Sequence, residues 1–137
     1  MRIRTKVPRS ASKDNEGDEM FINFTNHTSS KWSDIQLQAA NEYGSIFDIK
    51  FPSIEPECTW ADIQRIADEY AKQIIDKSPD CVLCQGEFCL SYAVVDRLKS
   101  SGIKVVAACS RREVEEISTA DETKKISRFV FVQFREY

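Results

Sequence analysis

Glycine is scarce in this chain, with four in 137 residues. A G-x-G-x-x-G dinucleotide turn and a P-loop both need clustered glycines, and neither is present. Histidine is scarcer still, a single residue at position 27. The five cysteines (Cys58, Cys81, Cys84, Cys89 and Cys109) are odd in number, which argues against a closed disulfide framework. Most lie in apolar stretches, as reduced thiols of a cytosolic protein do. Cys81 and Cys84 have C-x-x-C spacing, but strand positions three apart face opposite sides and no second ligand pair accompanies them. No metal site is expected. No apolar run approaches the roughly 20 residues that cross a bilayer. Arg2, Arg4, Lys6 and Arg9 are followed by no apolar core of a signal peptide. A net charge of -3 argues against non-specific binding to duplex DNA and leaves room for a local basic pocket.

What is present suits one soluble domain: 42% hydrophobic and 30% charged residues. Residues 1–19 are polar, first basic and then acidic, without apolar periodicity. They read as a disordered arm before a folded domain at 20–137. Met20 directly precedes the first strand-like run and is an alternative start. The intact mass of protein made from the native gene tests this.

Met20–Asn26 alternates and is aromatic-rich, the pattern of a strand. Ser33 with Gln36 is a capping-box signature for a helix reaching about Tyr43, where Gly44 stops it. Ile46–Phe51 reads as a second strand. Thr59 and Asp62 cap a second helix, with Ile63, Ile66, Ala67, Tyr70, Ala71, Ile74 and Ile75 at three-four spacing. Cys81–Gln85 is a short apolar run suited to a strand covered on both faces. A third helix follows from Glu87 to about Lys99, then a strand from Lys104 to Cys109. Glu113–Ser118 and Lys125–Phe134 read as a hairpin around the polar turn Thr119–Thr123. Alternating strands and helices predict an α/β fold, a Rossmann-like three-layer domain whose mainly parallel sheet ends in a C-terminal β-hairpin.

In such sheets ligands bind beyond the carboxyl ends of the strands. Three segments there carry polar residues. The first holds Asn26, His27, Ser29, Ser30, Lys31 and Trp32 at a helix N-terminus, a set suited to phosphate with Trp32 able to stack on a base. The alternative is a capped turn with Trp32 packed in the core. The second is Gln85-Gly86-Glu87, where Gly86 lets backbone approach a ligand or simply makes a tight turn with Glu87 in the first helical turn. The third is Ser110-Arg111-Arg112, an arginine pair able to clamp phosphate or to sit solvated before the hairpin. Cys109 continues an apolar strand and lacks a proton acceptor, which argues against a nucleophile. Convergence of the three would give a cationic pocket in an acidic protein, and hence a small anionic ligand, a nucleotide or oligonucleotide. Glu87 is the one acid expected there, so phosphodiester chemistry would be metal-independent and need no cofactor.

The run Phe21-Ile22-Asn23-Phe24-Thr25-Asn26-His27, then Trp32-Ser33 and Gln36, is similar to the start of small CRISPR-associated proteins. Gln85-Gly86-Glu87, Ala108-Cys109-Ser110-Arg111 and Phe134-Arg135-Glu136-Tyr137 extend the likeness over about residues 20–137. The group is the small Rossmann-like proteins of type III loci, some of them ring nucleases. The extension before Met20 departs from its compact pattern. The resemblance implies a cytoplasmic homodimer that binds a cyclic oligoadenylate across a two-fold axis. It also implies cleavage by 2′-hydroxyl attack on the adjacent phosphorus, which switches off an antiviral response. His27 would be general acid or base, Lys31 and Arg111 would hold phosphate charge, and Ser29 or Ser30 would orient the ribose. Two other readings stay open. One is a sensor or sponge that binds the nucleotide without turnover, the other a partner-binding subunit that uses the hairpin as a pairing edge.

Overall fold

The computed structural model describes residues 19–137. The arm read at 1–19 therefore lies outside the described residues except for Glu19, whose carbonyl accepts from the Ser45 amide at 3.0 Å. Among the described residues five strands form one sheet in the order β2-β1-β3-β4-β5. They are β1 (Met20–Thr25), β2 (Ser45–Lys50), β3 (Cys81–Gln85), β4 (Val105–Ser118) and β5 (Thr123–Glu136). The first four run parallel and β5 returns antiparallel to β4. The connecting helices are α1 (Asp34–Asn41), α2 (Trp60–Asp76) and α3 (Phe88–Ser100). This is the Rossmann-like α/β arrangement, with β1 and β3 flanking the point where strand order reverses.

Alternation along the strands builds two cores. Ile22, Phe24, Val82, Cys84 and Val105 face α2 and α3, where they meet Ile63, Ala67, Ile74, Leu90, Val94 and Leu98. Phe21, Cys81, Leu83 and Val106 face the other way, onto Ala40 of α1 and the rings of Trp32, Tyr43 and Phe134. The strongly amphipathic α2 opens on a full capping box: Thr59 and Asp62 exchange side chain-to-backbone bonds at 2.9 and 3.2 Å.

Gly44 adopts φ +140°, and a Cβ there would collide with the backbone of Glu19 and Met20. Gly44→Ala should lower the unfolding free energy by about 2 kcal/mol or more, read from denaturant midpoints.

Burial pushes the Cys84 thiol up from its ordinary 9.0 to about 12. Tyr137 donates its hydroxyl to the Cys84 carbonyl at 2.7 Å, and burial raises its phenol too. The unfolded thiol ionises near pH 9 while the folded one stays neutral, so this stability is complete below pH 9 and drains away toward pH 12. Stability should fall by up to about 1.4 kcal/mol per pH unit through that window. Urea unfolding from pH 8 to 11 measures the slope, and Cys84→Ala should flatten its share.

One boundary differs from the sequence reading. The strand expected to end at Cys109 and the one expected to start at Glu113 are a single β4, unbroken to Ser118. Thirteen paired positions with β5 carry it through the polar Ser-Arg-Arg segment, with a bulge between Cys109 and Ser110. Backbone pairing in a two-stranded ribbon does not need an apolar sequence, so the charges did not mark a loop.

Candidate functional site

β3 pairs with β4 at only two positions, Val82–Val105 and Leu83–Val106. Beyond them β4 swings away with the hairpin. Gln85 bridges the gap by accepting from the Ala108 amide at 2.7 Å. The divergence opens a cleft of about 920 Å³ at the carboxyl ends of β1 and β3, walled on its far side by the root of the hairpin.

The β1 loop enters this cleft in a fixed shape. Asn23, fully buried, donates to the His27 carbonyl at 2.8 Å and to Asp48 at 2.9 Å. Thr25 receives the His27 amide at 3.1 Å and donates to Asn23 Oδ1 at 2.8 Å. Buried polar groups satisfied this fully hold one conformation. The His27 backbone is thus clamped, while its exposed imidazole has no hydrogen-bond partner among the described residues. Lys31 likewise makes no ion pair among them.

Asn26, His27, Lys31, Trp32, Gln85, Gly86 and Ser110 all line the cleft. Five expected site residues do not. Ser29 gives its amide and hydroxyl to Asp48 (hydroxyl contact 3.0 Å), and Ser30 contacts the Thr28 hydroxyl at 3.2 Å. Both serve the short 3-10 turn Ser29–Lys31. Glu87 is the N-cap of α3, accepting from Leu90 at 2.7 Å, and faces a different hollow. Arg111 and Arg112 sit inside β4, not at its end. Arg112 crosses to the Ser127 hydroxyl at 2.6 Å.

Two side chains from the hairpin root replace them. Arg128 and Glu113, opposite one another in register, enter the lining as a 3.3 Å ion pair. Phe129, 75% exposed, adds an open ring face. Trp32 is half-buried, edge-on to Phe21 with centroids 6.2 Å apart, so it is a wall of the cleft as well as part of the core. Gly86 has a packing reason of its own: a Cβ there would stand 2.5 Å from the buried Phe51 ring.

Among the described residues the cleft therefore offers two cations, one imidazole, one carboxylate, amides and aromatic faces. Among the described residues no group of three or more His, Cys, Asp or Glu side chains is placed to hold a metal ion. No helix among them is long and apolar enough to cross a membrane.

Fold and cleft together define a Rossmann-like domain with a basic, aromatic hollow at its strand switch point. The chain belongs to the family described as Uncharacterized protein MJ1673 family, which it matches over residues 19–135. No curated protein and no solved structure matches it.

Proposed function

We propose that the cleft binds a cyclic oligoadenylate and opens its ring without a metal, as a CRISPR-associated ring nuclease of a type III locus. One observation carries this reading: a free imidazole, His27, shares the switch-point cleft with the cations Lys31 and Arg128. Phosphate charge suits the two cations, and adenine rings suit the faces of Trp32 and Phe129. The ribose 2′-hydroxyl attacks the adjacent phosphorus and the bond to the 5′ oxygen breaks. A 2′,3′-cyclic phosphate and a 5′-hydroxyl result. His27 takes the 2′ proton or supplies one to the departing 5′ oxygen. The reading carries with it a cytosolic setting and a homodimer that closes two clefts on one ring.

The second reading is a sensor or sponge that holds the nucleotide intact. What favours it is the absence, among the described residues, of any group that orients the His27 ring as a third member orients a catalytic base.

Incubating cyclic tetra- and hexa-adenylate with the protein in EDTA separates the two. Linear products with cyclic-phosphate ends support the nuclease. Ligand recovered whole, together with a raised melting temperature, supports the sponge. No thermal shift with either ring removes both.

A further inference from the structure

Another hollow, about 870 Å³, lies on the side of the sheet away from α1, where the N-terminal ends of α2 and α3 meet. Trp60, Phe88 and Tyr92 line it while remaining 79, 90 and 77% exposed. The seam between α2 and α3 does not use them, since Ile63, Ala67, Ala93 and Val94 fill it. Trp60 and Phe88 are each the first residue of their helix, and Tyr92 stands one turn after Phe88 on the same face. Neither helix start needs a ring there, because Thr59 with Asp62 caps α2 and Glu87 caps α3. Large apolar faces clustered in water mark a binding surface. A small ligand is enclosed over most of its area, whereas rings this open suit the side of a polypeptide, where Trp and Tyr are common anchors.

The charge of the lining narrows the partner. Glu55, Glu87 and Asp96 are its acids, and among the described residues Arg97 is its one base. Arg97 is already committed to Asp68 at 2.7 Å, Gln64 at 2.7 Å and the Ala93 carbonyl at 3.0 Å. The positive ends of the two helices are likewise met from within, by Asp62 and Glu87. Glu55 and Asp96 are left with no ion pair among the described residues. Ring faces beside unpaired carboxylates attract guanidinium and ammonium groups. We infer that this hollow docks a peptide segment of a partner protein, one in which arginine or lysine neighbours large aliphatic side chains. The aliphatic side chains lie on the three rings, and the cations reach Glu55 and Asp96. The hairpin of a second copy is a poorer match, because residues 105–136 hold six Lys or Arg against six Asp or Glu. The inference is independent of the nucleotide reading.

Cys89 reports on occupancy, as it lines the hollow and is exposed. Its alkylation is followed by mass spectrometry in the full chain, with a short synthetic peptide of alternating Arg and Leu as the probe. At a peptide concentration about four times Kd, labelling should slow about fivefold, and high salt should weaken the effect. E55Q/D96N should raise the peptide concentration needed for half protection about tenfold, and Trp60→Ser should raise it as far. E115Q/E116Q, which removes two carboxylates from the hairpin instead, should leave it unchanged. The same peptide with Glu in place of Arg should give no protection. No protection by the Arg–Leu peptide overturns the inference. So does equal protection by the Glu–Leu peptide, which makes the hollow indifferent to charge, or by spermine alone, which makes its ligand a small cation. A shift with E115Q/E116Q as large as with E55Q/D96N also overturns it, leaving diffuse attraction to an acidic surface. Slowing that grows with protein concentration in the absence of peptide puts a second copy in the hollow and overturns it too.

Discussion

His27→Ala is expected to slow ring opening of cyclic oligoadenylate by about 10²–10⁴-fold, the ordinary contribution of one positioned imidazole. Affinity for the ring should change by less than about threefold, since the phosphate charge falls to the two cations, Lys31 and Arg128. The fold should be indifferent to the change, within about 0.5 kcal/mol. The reason is specific to this loop. All the structural bonds of residue 27 run through its backbone, amide to Thr25 and carbonyl to Asn23, and alanine keeps both. Single-turnover cleavage and ligand titration on the same preparation separate the two effects. A variant that cleaves at full rate removes His27 from the mechanism. One that loses binding along with rate makes the ring a ligand contact, which fits the sponge.

Much of this architecture was legible because periodicity and caps report local physics. The three-four spacing of Ile63, Ala67, Ala71 and Ile74 dictated α2, and the capping-box residues Thr59 and Asp62 marked its start. The apolar run Cys81–Gln85 announced a strand buried on both faces. That the β1 loop lines a cleft was legible because it follows a strand end in a parallel sheet, and it carries a lone histidine, a lysine and a tryptophan. What stayed hidden depends on pairing distant in sequence. Arg128 enters the cleft only because hairpin register sets it opposite Glu113. Asp48 shapes the loop only because β2 lies beside β1, in register with Asn23. Cross-strand register of a long, charged ribbon is weakly written in one strand at a time. Ser29 and Ser30 fall outside the cleft lining for a related reason. Hydroxyls near a helix start serve turns as readily as ligands, and here Asp48 and Thr28 claim them.

The arginines give the sharpest contrast between sequence and geometry. Arg128→Gln should weaken cyclic oligoadenylate binding about 10–100-fold, the loss of one charge-assisted contact worth about 1.5–3 kcal/mol. The slope of log affinity against log salt should shrink by about one phosphate contact. The double variant R111Q/R112Q should change affinity by less than about threefold, because neither side chain lines the cleft. Stability does not confuse the comparison: Arg128 and Glu113 are exposed at 3.3 Å, and such pairs contribute under about 1 kcal/mol. Glu113→Gln sharpens it further. With its carboxylate gone, Arg128 no longer has a competitor for phosphate, and binding should tighten. Weakening by R111Q/R112Q with Arg128→Gln silent would instead put the phosphate on the outer side of the hairpin, and the cleft would lose its claim to the ligand.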